Sequence, residues 1–207
     1  DTGCHPSVVS DAVARWGGLA KLMVPIFTAA EALPASLAAT GLGPEDIDLV
    51  VCSHLHPDHC GCNGLFRRAT LICHEAEREA AAAPGAGAQG YVPADWDQGL
   101  EVRTIAGQHD LFGDGSVTLL PMPGHTPGMI CALVALERDG AFLLASDAVS
   151  LRAHLDRDIT PRNTWNPELS HASMAEIRRL AAAGTRVVCG HDAAEWETLR
   201  KGAAFYA

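Results

Sequence analysis

The stretch Ser53-His54-Leu55-His56-Pro57-Asp58-His59 constrains this chain more than any other. Three imidazoles and a carboxylate packed into six positions are costly to bury without partners. A divalent metal would use the imidazole lone pairs and neutralise the carboxylate. The residues just before it, Ile47-Asp48-Leu49-Val50-Val51-Cys52, form a short apolar run that predicts a buried strand. Those just after it include Gly61, Asn63 and Gly64, which predict a loop. The ligands are therefore expected on a loop at a strand end, where a rigid scaffold can aim them into a cleft.

The same arrangement recurs downstream. Val117 to Leu120 is expected as a strand, leading through Pro121-Met122-Pro123 to Gly124-His125. Met129 to Leu136 and Ala141 to Ala145 are expected as strands joined by the hairpin signal Arg138-Asp139-Gly140, the second leading to Ser146-Asp147. Arg186 to Cys189 is a further buried strand and leads to Gly190-His191-Asp192. Between them, Asn166 caps a helix with Pro167 and Glu168 in its first turn, apolar residues at helical spacing, and Gly184 at its end. Helices are also expected over 34–40, 74–83 and about 193–201. The alternation predicts α/β layers, with the strand-end ligands converging on one sheet edge. His54, His56, Asp58, His59, His125, Asp147 and His191 are too many ligands for one tetrahedral zinc. They suit two metals bridged by a carboxylate, a hydrolytic arrangement. Imidazole and carboxylate donors fit zinc, iron, cobalt or manganese. Asp1 and Asp192 are expected to support neighbouring ligands or loops. His5, His74, His109, His154 and His171 stand alone and are expected as surface or core residues.

At 207 residues the chain is expected to be one domain, 1–207, with a proper core. Its net charge of -10 argues against nucleic acid or an anionic membrane as partner. No apolar run is long enough to span a bilayer. The seven cysteines are odd in number and form no regular framework, so reduced thiols and a cytoplasmic setting are expected. Cys60 and Cys62 lie beside the metal motif, yet a complete nitrogen and oxygen set already exists there. Residues 84–99 carry glycines at 85, 87, 90 and 99 with Pro93, and are expected to form a long functional loop. The chain begins Asp1-Thr2-Gly3 without methionine and has the look of a fragment or a processed product, so an upstream signal peptide stays open.

His-Leu-His-Pro-Asp-His at 54–59, Gly-His-Thr-Pro-Gly at 124–128, Ser-Asp-Ala at 146–148 and Gly-His-Asp at 190–192 resemble the metallo-β-lactamase superfamily. Within it the resemblance is to N-acyl-homoserine lactone lactonases, the quorum-quenching enzymes. That resemblance implies an αββα sandwich with two metals at one edge, whose first strands would lie upstream of Asp1. It implies that His54, His56 and His125 hold the first metal, that Asp58, His59 and His191 hold the second, and that Asp147 bridges them. Zn2+ is the expected ion, with Fe, Co or Mn as alternatives. The implied substrate is a small-molecule lactone, and a homodimer is left open. The implied reaction is attack of a hydroxide bridging the metals on the lactone carbonyl, with Asp58 passing a proton to the leaving alkoxide. Class B β-lactamases carry a cysteine where Asp147 stands. Many of the lactonases have a tyrosine three residues after the bridging aspartate. Here that position is Ser150, so oxyanion help would fall to the metal, to Ser150 or to His154. Residues around Met23 to Phe27, with Trp96, are candidates for an acyl-chain groove. The alternatives are a different lactonase or a glyoxalase II-like thioesterase. Outside hydrolysis they are a metal-binding protein without turnover or a diiron redox protein, which would place glutamate at His56.

Overall fold

A computed structural model describes residues 1–202 and 204–207, and its backbone gathers into two compact units. One unit comprises Asp1–Cys73 with Arg78–Thr104, the other His74–Glu77 with Ile105–Ala207.

The first unit is built on a three-stranded sheet of β1 (Leu49–Val51), β2 (Thr70–His74) and β3 (Val102–Ile105), in that order. β1 and β2 run parallel, with Val50 opposite Leu71. Parallel neighbours cannot be joined by a tight turn. The crossover between them is the segment that carries the metal motif. Val50, Leu71 and Cys73 from the sheet pack with Cys52, Leu55, Cys60, Phe66 and Tyr91 in one core. The segment at 84–99 departs from expectation. It holds a 3-10 turn at Ala86–Gln89 and a short helix at Pro93–Trp96 in place of a structureless loop. Two buried side chains account for this. Tyr91 is 2% exposed, and Asp95, fully buried, accepts from Arg15 Nε at 2.5 Å and Trp16 Nε1 at 3.2 Å. Burial pushes the Asp95 carboxyl above its usual range, against the pull of Arg15.

The second unit holds a five-stranded sheet ordered β4 (His109–Asp110), β5 (Val117–Pro121), β6 (Ile130–Leu136), β7 (Gly140–Ser146) and β8 (Arg186–Cys189). β4 to β7 are antiparallel neighbours, and β7 pairs with β8 in parallel. The expected hairpin is present, with Leu136 opposite Gly140. The helix Pro167–Ala182 makes the crossover from β7 to β8. Asn166 starts it by accepting from the Leu169 amide at 3.1 Å, the side-chain cap expected of asparagine there. Met174 and Ile177, three residues apart and so on one face, bury against Cys131, Leu143 and Val187. Each such side chain contributes about 1.5–3 kcal/mol by leaving water. The final helix is shorter than expected, at Ala193–Thr198.

Among the described residues all seven cysteines are reduced thiols. Cys60 donates to the Leu55 carbonyl at 3.3 Å and Cys62 to the Cys4 carbonyl at 3.2 Å. Burial pushes the Cys62 thiol up to about 11, so without a bound cation it stays protonated. Among the described residues no helix is long and apolar enough to cross a membrane.

Candidate metal centre

In the first unit, β1 ends at Val51 and the chain turns into a one-turn helix at Pro57–Cys60. His56 is its N-cap and Pro57 opens its first turn, where a proline costs no hydrogen bond. This places Asp58 and His59 one turn from His56 and gathers all four motif ligands. His54 is fully buried and His59 nearly so.

The partners around each imidazole assign which nitrogen carries its proton. The Asp1 carboxylate accepts from the Ser53 amide at 2.6 Å and the Ser53 hydroxyl at 2.8 Å. With its proton committed, Ser53 Oγ accepts from His54 Nδ1–H at 3.1 Å, which leaves the lone pair of His54 on Nε2. His56 Nε2 faces the Gln89 carbonyl oxygen at 2.9 Å, so it is the N–H, and the lone pair of His56 lies on Nδ1. These two lone-pair nitrogens stand 3.1 Å apart. Lone pairs set face to face repel, and a shared cation converts them into two ligands. Two imidazoles on one tetrahedral ion have nitrogens roughly 3.3 Å apart. His59 repeats the pattern. Its Nδ1–H donates to Asp1 Oδ2 at 2.9 Å, and its Nε2 lies 3.5 Å from Asp58 Oδ2. The donor set therefore fits divalent metal. Asp1 acts as the support expected of it.

The second unit holds the other three ligands. The Gly124-His125 turn is held by the Asn166 and Trp165 amides, which donate to the Gly124 and His125 carbonyls at 2.9 and 3.1 Å. Asp147 follows a β-bulge at the end of β7, and its predecessor Ser146 is held at φ 46. That conformation is strained for a residue with a side chain, and such strain concentrates at functional sites. Asp147 gives one oxygen to each of two imidazoles. Oδ1 lies 2.9 Å from His191 Nε2 and Oδ2 lies 3.4 Å from His125 Nε2. A carboxylate shared in this way suits a bridge between two ions. Asp192 caps the helix Ala193–Thr198 by accepting from the Glu195 amide at 3.0 Å, the loop-support role expected of it.

The seven expected ligands all carry atoms able to hold an ion. Four are gathered in the first unit and three in the second. Ser150 offers its backbone carbonyl to the His191 amide at 2.8 Å. His154 lies one turn further along, in the helix Arg152–Arg157, half-buried. Of the groove candidates, Trp96 packs against the first unit's core under the Arg78 guanidinium, 5.7 Å from the ring centroid. Leu22, Val24 and Ile26 are exposed. Sequence reasoning missed the groups behind the ligands: the Gln89 carbonyl, the Tyr91 ring 5.1 Å from His56, and Glu77, whose buried carboxylate accepts from the Gly128 amide at 3.0 Å. Only Tyr91 left a signal, as one of two bulky residues in a glycine-rich stretch.

Residues 19–191 match the sequence pattern of the metallo-beta-lactamase superfamily. The chain is 34% identical, over its whole length and 81% of the relative's, to the N-acyl homoserine lactonase AttM of Azorhizobium caulinodans. It is 31% identical, over 97% of its length and 77% of the relative's, to the N-acyl homoserine lactonase AiiB of Agrobacterium fabrum. Among solved structures, an N-acyl homoserine lactone hydrolase with the product N-hexanoyl-L-homoserine bound at its catalytic metal center superposes with a TM-score of 0.87. The match covers all of this chain and 80% of that one at 26% identity.

Proposed function

The chain belongs to the metallo-beta-lactamase superfamily, and on that premise we propose that it is a metal-dependent hydrolase that opens the lactone ring of N-acyl-homoserine lactones. In this reading residues 1–207 form one hydrolase domain, and the seven ligands hold two divalent ions, most simply Zn2+. His54, His56 and His125 would hold one ion, Asp58, His59 and His191 the other, and Asp147 would bridge them. The observation that carries the metal assignment is the pair of lone-pair nitrogens on His54 and His56, 3.1 Å apart with their other nitrogens committed elsewhere. The substrate class rests on the relatives, which are named N-acyl homoserine lactonases.

Ions held there would supply Lewis acidity toward a substrate carbonyl and lower the pKa of a water toward neutrality. The chain's own residues do the rest. Asp58 takes the proton from the attacking water and delivers it to the ring oxygen as the carbon–oxygen bond breaks. Its carboxylate is partly exposed, with Oδ2 3.5 Å from His59 Nε2. Asp147 holds His125 and His191 at a fixed spacing. Ser150 and His154 are the candidates to help a developing oxyanion, and the product would be an N-acyl-homoserine.

A pH-drop assay on the metal-loaded protein tests this, with acyl-homoserine lactones of several chain lengths beside a thioester and a β-lactam. Lactone hydrolysis is expected to dominate. Hydrolysis of the thioester alone would overturn the substrate assignment in favour of a glyoxalase II-like enzyme. Asp147→Asn is expected to lose turnover together with bound metal, and retained turnover with one ion lost would show that the bridge is dispensable.

A further inference from the structure

We infer that Arg152 and Glu195 are positioning residues for His191, holding the turn that bears it against the turn that bears Asp147. The inference rests on the ligand assignment proposed above. His191 has a side chain 45% exposed, so packing alone does not fix it. The β7–β8 ladder ends at the pair Ser146 and Cys189, before either ligand is reached. What continues beyond the ladder is a set of hydrogen bonds. The Gly190 and His191 amides donate to the Val149 and Ser150 carbonyls at 3.0 and 2.8 Å. Those two bonds join the turns only if each turn is itself held.

Arg152, Asp192 and Glu195 hold them. The Arg152 amide donates to Asp192 Oδ2 at 2.9 Å, and the Glu195 amide to Asp192 Oδ1 at 3.0 Å. Glu195 Oε2 accepts from the Cys189 amide at 2.8 Å, while its Oε1 takes the Arg152 guanidinium. The same guanidinium nitrogen donates to the Val187 carbonyl at 2.6 Å. One arginine and two carboxylates thus tie three segments together: the end of the Asp147 turn, the last residues of β8 and the first turn of the helix Ala193–Thr198. Charge-assisted bonds of this kind are stronger and more directional than neutral ones. Glu195 bonds to the Cys189 amide and, through its own amide, to Asp192, on the two sides of His191 in the chain. It acts on His191 through the backbone on either side of it. Partners of this kind typically change metal affinity by about 10–100-fold when removed.

The test measures each ion separately. The full chain is loaded with Zn2+, and the two ions are titrated out with a competing chelator for wild type, Glu195→Gln, Arg152→Lys and the control Glu176→Gln, which breaks an exposed pair with Arg179. Glu195→Gln is expected to weaken one ion by about 10–100-fold and leave the other within about twofold. Arg152→Lys is expected to do the same, because its ammonium ends one bond short of the nitrogen that bonds both the Val187 carbonyl and Glu195. Glu176→Gln should change neither. Melting of the metal-free forms separates positioning from plain stability. Unchanged affinity for both ions in Glu195→Gln and Arg152→Lys would overturn the inference. So would equal weakening of both ions in step with a lower metal-free melting temperature. A wild type that binds no ion would overturn the ligand assignment itself. A wild type that binds two ions without opening lactones would overturn only the proposed function.

Discussion

Gly190 has no room for a side chain. A Cβ there would sit 2.6 Å from the Ser146 carbonyl oxygen and 2.8 Å from Asp147 Oδ1. Gly190→Ala must push the His191 turn away from the Asp147 turn, at about 1–3 kcal/mol of stability. The expected outcome is a lower melting temperature together with fewer bound ions, checked by thermal denaturation and metal analysis on the same sample. A normal melt with full metal content would mean that the turn relaxes freely. Asp1 is the other decisive residue, because one carboxylate serves both Ser53 and His59. Asp1→Ala removes the groups that set the tautomers of His54 and His59, and should weaken metal binding by about 10–100-fold with a small change in melting temperature. Competition with a chelator reads this directly. At this scale the sequence was most legible where chemical type and spacing coincide, as in His54, His56, Asp58 and His59. The supports were hidden for a physical reason. The Gln89 partner of His56 is a backbone carbonyl, which every residue has, and Glu195 reaches His191 only through main-chain amides.

The helix Pro167–Ala182 shows how far a local pattern carries. Its cap, its proline and its buried stripe were all visible, because each depends on residues within one or two turns. Asn166→Ala should cost about 1 kcal/mol by orphaning the Leu169 amide. Ile177→Ala, at a fully buried position, should cost about 2–5 kcal/mol. Urea unfolding of the two variants should therefore rank Ile177→Ala well below Asn166→Ala. The hairpin of β6 and β7 was legible for the same local reason. β3 and β4 were not. Val102-Arg103-Thr104-Ile105 offers no apolar run, and β4 is two residues long and exists only by pairing with β5. The turns between 86 and 96 escaped as well, since they depend on a distant partner, the Arg15 and Trp16 bonds to Asp95.

Across the whole chain, 25 acidic residues against 15 basic ones make acid stability a property worth measuring. Asp158 is held below the usual range by His171 and Arg178, and Asp192 by the Glu195 and Arg152 amides. Carboxyls lowered in this way stabilise the fold above their ordinary value of 3.8, and the contribution is lost as pH falls through the lower folded values. Asp95 has the opposite sign. Its raised carboxyl favours the fold below 3.8 and ceases to do so as pH rises through the raised value. The metal-free protein should therefore lose stability as pH falls below about 4, and Asp95→Asn should remove the gain that acidification brings on the way down to 3.8. Urea midpoints across that range decide it. The α/β class and the family were readable because the four motifs span nearly the whole sequence. The division of the backbone into two compact units was not, since both have the same composition of short strands and helices. The parallel pairing of β7 with β8 has one more consequence, and it concerns time. The β5–β6–β7 meander closes through short turns, whereas β8 joins only after the long helical crossover has been drawn in, and contacts so distant in sequence form slowly. Asp147 and His191 meet at that late junction. A refolding chain should pass through a stage with its meander formed and its second ligand set still open, so that zinc uptake trails the recovery of secondary structure.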